Sequence, residues 1–468
     1  MRMTDTTPEA TAEKSGPNFL VLGLIVALVT VLSFAGGFFF GPGGGPAPVE
    51  TAAAREVPGS PSLAFPVRTC SIGSQVAAAE LGNATVFVLN SETDEVLYQF
   101  GANPTAPMAS VMKVITAATA LKVLGPDARL TTRVVAGSTP GSVVLIGGGD
   151  PTLSVGNGSV YSGAPTLTDL AEQTINAYQA AYPDGEPISN VIVDVSMFPV
   201  DDAWHSSWPK SERTEGYQPL IVPLMVDGDR TNPARATSPR STDPVGKAAA
   251  AFVQALKEAE GGDGDSDITV TFGTAPSNAA KLASVSSQPV STLVKQMLPN
   301  SDNTLAELLL RAVSVKLGLG GTADSLQQAV VSTMKTLDID MSDGTFIDGS
   351  GESPNIRISP SALATLLDIV FSDGGDLAVI AKSLPVAGES GTLSGRFDGD
   401  AKVARGHVIA KTGWITGVYA LAGQISAADG SRLIAVVVAE GSVKDNAKAA
   451  IDNVFAAAYT CGTNLASY

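Results

Sequence analysis

Cys70 and Cys461 are the two cysteines of the chain, and they bracket most of its foldable sequence. If they pair, their Cα atoms lie within about 7 Å. Any fold must then begin and end side by side. Pairing depends on the redox compartment, and the N-terminal sequence bears on that. Phe19–Phe40 is an apolar run without a charged residue. It matches the roughly 20 residues that cross a bilayer as a helix. A cleavable signal has a shorter apolar region, about 7–15 residues, followed by an A-x-A-like site; none directly follows Phe40. Residues 19–40 are therefore read as a transmembrane anchor, with a cleaved signal as the alternative. Arg2 and Lys14 precede the run, which keeps residues 1–18 in the cytoplasm and sends the rest outside. In that oxidising setting a Cys70–Cys461 disulfide is expected; two separate buried thiols are the alternative. Residues 41–66, rich in Gly, Pro and Ala, read as a flexible linker.

Length and composition narrow the classes. A chain of 468 residues holds two or three ordinary domains. With 44% hydrophobic and 16% charged residues it is not a disordered polyelectrolyte. A net charge of −17 repels phosphate backbones, so nucleic acid is not expected as a partner. Two histidines and two cysteines leave almost no room for a zinc site built from them. No metal or organic cofactor is implied.

The patterning predicts an α+β architecture. Ala84–Asn90 and Glu95–Phe100 read as a β-hairpin. Ser110–Leu124 reads as a helix stopped by Gly125-Pro126. From about 130 to 290 short strand-like runs (142–146, 191–195, 268–272) alternate with helical stretches at 167–182 and 244–260. Four helical patterns follow, near 302–317, 323–337, 359–371 and 376–384. Three strand-like runs (405–412, 417–426, 432–440) then form an antiparallel meander, and a last helix, 444–459, runs into Cys461. The first hairpin and the meander can share one antiparallel sheet, the disulfide favouring that closure. The expected division is a catalytic domain in two parts, 67–130 and 291–468, split by an inserted mixed α/β domain, 131–290.

Three elements carry chemistry. Ser110 and Lys113 stand at i and i+3 at a helix start, so both side chains reach one cleft. Serine needs a base to become a nucleophile. Lysine can be that base if burial or a neighbouring cation lowers its pKa. The helix N-terminus favours an oxyanion. S-x-x-K recurs at Ser207/Lys210 and Ser332/Lys335, but Trp208-Pro209 spoils the first and the second lies inside a predicted helix. The second element is Ser301-Asp302-Asn303. The Ser301 hydroxyl can pass a proton to a leaving amine, and the Asn303 amide can align a peptide. Ser301 also fits a helix N-cap. The third is Lys411-Thr412-Gly413 on a strand-like run. Lys411 and Thr412 can hold a carboxylate, Gly413 permits close approach by substrate, and the Trp414 N–H can join that of Ser110 in an oxyanion hole.

S-x-x-K with S-D-N and K-T-G is the signature of class A β-lactamases and penicillin-binding proteins. Gly147–Leu153 (GGGDPTL), Asp348–Gly351 (DGSG), Leu384–Phe397 and Gly406–Gly413 (GHVIAKTG) refine the match. Over about residues 65–460 the chain resembles the class C low-molecular-mass penicillin-binding proteins, the D-Ala-D-Ala carboxypeptidase/endopeptidase family. The resemblance implies a penicillin-binding, transpeptidase-like fold in the cell envelope. It further implies peptidoglycan stem peptides as substrates and β-lactam antibiotics as acylating ligands. Catalysis would rest on Ser110, Lys113 and Ser301, with substrate held by Asn303, Lys411, Thr412, Gly413 and Trp414.

One position departs from the family. Thr or Ser usually follows K-T-G, and here it is Trp414. The backbone oxyanion donor survives, but a hydroxyl for the substrate carboxylate is lost. Three other functions compete. A class A β-lactamase would show E-x-x-L-N downstream of S-D-N, and none follows Ser301. A Ser-His-Asp esterase lacks support, since neither His205 nor His407 has triad context. A non-catalytic peptidoglycan-binding protein on the same fold is disfavoured by three intact motifs.

Overall fold

The computed structural model describes residues 67–466 apart from 102, 157, 262–266 and 374. The apolar run 19–40 and the linker 41–66 lie outside the described residues. Among the described residues no helix is long and apolar enough to cross a membrane.

Ten strands run in chain order: β1 Asn83–Asn90, β2 Val96–Phe100, β3 Thr131–Ala136, β4 Ser142–Ile146, β5 Asn190–Asp194, β6 Thr269–Phe272, β7 Lys281–Ser286, β8 Val408–Ile415, β9 Val418–Ser426 and β10 Arg432–Glu440. They form two sheets, β2-β1-β10-β9-β8 and β6-β5-β4-β3-β7. The first is antiparallel throughout. The hairpin and the meander share it, with β1 pairing β10 from Asn83↔Glu440 to Asn90↔Leu433. The second is mixed: β4-β5 and β5-β6 are parallel, and β3 pairs antiparallel with β4 and β7. Strands β3 and β7 were not among the expected runs. β7 (KLASVS) is short and polar, and its pairing with β3 is long-range.

Side chains alternate across a strand, and here they feed two cores. Phe87 and Leu89 of β1, with Ile434, Val436 and Val438 of β10, pack into the core that holds the helical cluster. Val86 and Val88, with Leu433, Ala435 and Val437, face the other way, against Ile451, Val454 and Phe455 of the Ala447–Cys461 helix. The sheet is therefore covered on both faces, and its strands read as near-continuous apolar runs. A third core joins β4 and β5 of the second sheet to the Leu167–Ala181 and Pro244–Ala259 helices.

The Met112–Val123 helix sits at the centre of the helical cluster. It has no Gly or Pro, and every side chain from Met112 to Leu121 is buried. Such a helix, largely apolar and buried on all sides, holds only when enclosed. The Val290–Asn300, Asn303–Lys316 and Ser325–Lys335 helices contribute to its surroundings. This enclosure fixes the entry point of the helix, where Ser110 and Lys113 lie.

Cys70 and Cys461 are bonded, with Cα atoms 5.4 Å apart. Non-covalent contacts close the same seam: the Cys70 N–H donates to the Asn464 carbonyl at 3.2 Å, and the Ala466 N–H to the Cys70 carbonyl at 2.8 Å. A disulfide closing so long a loop stabilises by roughly 2–5 kcal/mol. The Cys70→Ala/Cys461→Ala chain should lose stability in that range, measured by thermal or urea unfolding. Equal stability of both proteins would show that the backbone contacts alone hold the ends.

Candidate active site

Four separated segments build the site. The first is the turn before the central helix. Ala109–Val111 form a 3-10 turn, and Ala109 has φ 45°, an uncommon conformation for a residue with a Cβ. Two glycines let other segments of the chain close on it. A Cβ at Gly351 would meet the Ala109 carbonyl oxygen at 1.9 Å, and one at Gly413 would meet that of Met108 at 2.3 Å. Gly413 thereby makes room for the protein's own serine-bearing turn.

Lys113 is fully buried and points into this junction. Its Nζ lies 2.8 Å from Ser110 Oγ, 2.7 Å from Asn303 Oδ1 and 2.7 Å from the Ser350 carbonyl oxygen. The last two partners are acceptors only. A neutral amine has two N–H groups and one lone pair. In the ammonium form the third N–H donates to Ser110 Oγ; in the neutral form, with its two donors committed to Asn303 and Ser350, the lone pair is left for the Ser110 hydroxyl. Burial lowers the Lys113 pKa to about 8, against the opposing pull of Glu352, Glu307, Asp348 and Asp302. Lys411 is held well below the usual lysine range by burial and then by Lys113.

Ser301 and Asn303 flank a helix junction. The Val290–Asn300 helix ends at Ser301, which is left-handed (φ 55°, ψ 42°). The next helix starts at Asn303, and its N-cap is Asp302, whose Oδ1 accepts from the Leu305 N–H at 2.9 Å. The expected N-cap, Ser301, is instead the C-cap of the preceding helix, which frees its hydroxyl. Ser301 Oγ accepts from Lys411 Nζ at 2.9 Å. Lys411 also donates to the Thr412 carbonyl at 2.9 Å and is fully buried. β8, which carries it, is an edge strand.

A cleft of about 420 Å³ opens over these groups. Ser110, Ser301, Asn303, Thr412 and Trp414 line it, so the structure brings together residues from all three motifs. The Trp414 residue is 53% exposed. Ser207 turns elsewhere, bonded to His205 Nδ1 at 2.7 Å and Ser353 Oγ at 2.8 Å. Ser332 bonds the Ala329 carbonyl within its own helix. His407 stacks on Tyr459.

Several groups of the site are not among the expected residues. Ser350 supplies a backbone acceptor to Lys113, and Glu307 fixes that backbone by accepting from the Gly349 and Ser350 N–H groups at 3.1 and 2.9 Å. Burial and neighbouring Asp348 push Glu307 up to about 7. Glu352 lines the cleft and accepts from Asn303 Nδ2 at 3.2 Å. Burial, then Glu212, raise its carboxyl to about 8. Thr392 Oγ1 lies 2.8 Å from Thr412 Oγ1. For Ser350 and Thr392 the available signal was the DGSG and LPVAGESGTLSGRF stretches, similar to the family but given no chemistry; Glu307 and Glu352 lie outside both. Among the described residues no cluster of three or more His, Cys, Asp or Glu is placed to hold a metal.

With this geometry in view, similarity to known proteins is decisive. A family model described as the D-Ala-D-Ala carboxypeptidase 3 (S13) family matches residues 70–238 and 231–459. The chain belongs to this family. It is a serine-type D-Ala-D-Ala carboxypeptidase by that membership. It is 33% identical over 428 residues to carboxypeptidase DacB of Mycolicibacterium smegmatis, covering 89% of each chain. It is 29% identical over 421 residues to the D-alanyl-D-alanine carboxypeptidase of Actinomadura sp. strain R39, covering 75% of this chain and 77% of the relative. The fold is similar to the crystal structure of penicillin-binding protein 4 of Haemophilus influenzae. There the TM-score is 0.66 at 20% identity, covering 82% of this chain and 97% of the other.

The electrostatics of Lys113 are testable without turnover. Its Nζ should titrate near pH 8, far below an ordinary lysine. When ionised, Glu352 does more than the other carboxylates to keep the proton on Lys113. Glu352→Gln removes that pull, so the Lys113 pKa should fall further. NMR titration of side-chain-labelled lysine in both proteins reads this directly. An unchanged or higher pKa in the variant would show that Glu352 does not act on Lys113.

Proposed function

We propose that the chain hydrolyses D-Ala-D-Ala-terminated stem peptides of peptidoglycan through an acyl-enzyme on Ser110, with endopeptidase cleavage of crosslinks as a second use of the site. The observation that carries this reading is the Lys113–Ser110 contact, with the amine's other partners restricted to acceptors.

In the proposed sequence Lys113 takes the Ser110 proton, and Ser110 Oγ bonds to the carbonyl carbon of the penultimate D-Ala. The Ser110 and Trp414 N–H groups hold the resulting oxyanion. The C–N bond then breaks as Ser301, hydrogen-bonded to Lys411, delivers a proton to the leaving D-Ala amine; the proton that Lys113 took from Ser110 replaces it, which leaves Lys113 neutral again. Water attacks the ester, its proton passing to Lys113, which returns it to Ser110 Oγ as the ester C–O bond breaks. Asn303 and Thr412 orient the peptide. Penicillins acylate the same serine through their strained amide. We assign residues 67–130 and 291–468 to one catalytic domain with 131–290 inserted; the first sheet and the helical cluster draw on both outer stretches. The family places the enzyme in the bacterial envelope, and the run Phe19–Phe40 supports a membrane anchor there, the catalytic domain lying outside the cytoplasm.

Labelling with a fluorescent penicillin tests the nucleophile: Ser110→Ala should abolish covalent label in a folded protein, and persistent label would remove Ser110 from the role. Lys113→Arg stays protonated throughout, so acylation should fall by about 10²–10⁴-fold, the size of general base catalysis. Acylation within about threefold of wild type, against that range, would rule the base out. Trp414 offers no hydroxyl to the substrate carboxylate. Trp414→Thr should improve kcat/KM on small D-Ala-D-Ala peptides, chiefly through KM, by about 1 kcal/mol, one ordinary hydrogen bond. No change in either peptide turnover or penicillin acylation would make the indole a bystander.

A further inference from the structure

The S-D-N motif is gripped by two residues of the 131–290 stretch, one of which, Arg230, also lines the cleft. Asp302 spends one oxygen, Oδ1, on capping its own helix. The other, Oδ2, accepts from Arg230 at 2.7 Å and from the Tyr161 hydroxyl at 3.1 Å. Arg230 also donates to Tyr161 Oη at 2.8 Å, and its guanidinium carbon lies 4.8 Å from the Tyr161 ring centroid. Carbonyls complete the guanidinium's partners: Ala236 accepts at 3.0 Å and Asp227 at 3.3 Å. Arg230 and Tyr161 both come from the 131–290 stretch, far in sequence from Ser301.

This grip is too well built for a surface ion pair. The Arg230 and Asp302 side chains are 1% and 10% exposed, and Tyr161 is buried. Burial alone would raise the Asp302 carboxyl, but Arg230 and the Leu305 N–H hold it below its ordinary value. An ionised carboxylate is thus locked in place on both of its oxygens. Immediately before it stands Ser301, a non-glycine residue in the left-handed region. Such strain persists only where the surroundings over-determine it. An N-cap needs one carboxylate oxygen; the second oxygen, with its two partners from elsewhere, does something more.

We propose that Arg230 and Tyr161 are positioning residues for acyl transfer: by holding Asp302 they set the place of Ser301 Oγ against Lys411. The inference rests on the reading of Ser301 as the proton-delivering group. It gives the 131–290 stretch a part in the chemical step besides any part in substrate binding.

The experiment is a double-mutant cycle on the rate constant for penicillin acylation, in the full chain with its disulfide intact. The variants are Arg230→Met, Tyr161→Phe, Ser301→Ala and each of the first two combined with Ser301→Ala. Ser301→Ala alone should slow acylation by about 10²-fold or more, as loss of a proton-transfer group does. Arg230→Met should slow it by on the order of 10²-fold, as misplacement by an ångström does. Tyr161→Phe, which removes only the hydroxyl, should act in the same direction and less. In the Ser301→Ala background both substitutions should be nearly silent, because groups acting through one residue are non-additive. A purely structural role gives the opposite result, equal losses with and without the Ser301 hydroxyl, and overturns the proposal. If Arg230→Met does not fold, the Tyr161→Phe cycle decides alone. Folded single variants that acylate like wild type also overturn it. A Ser301→Ala protein that acylates normally removes the Ser301 reading and this inference together. A slow Ser301→Ala protein with additive Arg230 and Tyr161 effects removes the inference only.

Discussion

A lysine amine with no access to water needs partners, and the whole site is arranged around supplying them to Lys113. Burying a charged ammonium without compensation costs many kcal/mol, so the group is driven toward neutrality and toward whatever acceptors the fold can bring. Here they come from the 3-10 turn, the Asn303 helix start and the DGSG loop. Each is held by independent means. The turn is closed on by Gly351 and Gly413. The helix start is capped by Asp302. The loop is pinned by Glu307, and by Asp348, which accepts from the Gly351 and Ser353 N–H groups and from Trp208 Nε1. Displacing any one support leaves a buried polar group short of a partner, which is why the site and the fold stand together.

The same requirement explains why strain collects here. Ala109 and Ser301 are both left-handed residues with side chains. Such conformations cost about 1–3 kcal/mol each. Ala109 aims the serine out of the helix end, and Ser301 aims a hydroxyl at Lys411 instead of at its own helix. Relaxing either residue would point a hydroxyl back into local backbone hydrogen bonding, the usual fate of serine at a helix end.

Much of the first sheet was legible because its pattern is local. Hairpin and meander strands announce themselves by β-branched runs and turn residues, and the observed ends differ from the expected ones by only a few positions. The disulfide followed from compartment and count. The second sheet was less legible: β4, β5 and β6 match expected runs, but β3 and β7 do not, and β7, half of it polar and only partly buried, carries little of the apolar signal of a strand. In the site, the motif residues were legible by spacing. The backbone oxygen of Ser350, the paired oxygens of Asp302 and the carboxyl of Glu352 were not. A carbonyl has no residue identity, and Arg230 and Tyr161 reach Asp302 across intervals that no short motif spans. Ser301 as an N-cap failed for a related reason. Ser and Asp are both good caps, and local sequence does not choose between neighbours when a distant arginine favours one.

Two buried lysines in one cleft would seem to make neutrality easy, yet the balance is finer. Lys411 is depressed by burial and by Lys113, whereas Lys113 is surrounded by Glu352, Glu307, Asp348 and Asp302, all pulling its proton on. The anions do structural work: Asp302 caps, Glu307 and Asp348 pin the loop. Their field is the unavoidable consequence, and it stops the Lys113 pKa near 8. A general base is most effective with a pKa near the working pH. A lysine driven much lower would be free more often but would hold the serine proton more weakly. The carboxylates that build the loop and cap the helix therefore also keep the amine basic enough to take a proton from serine.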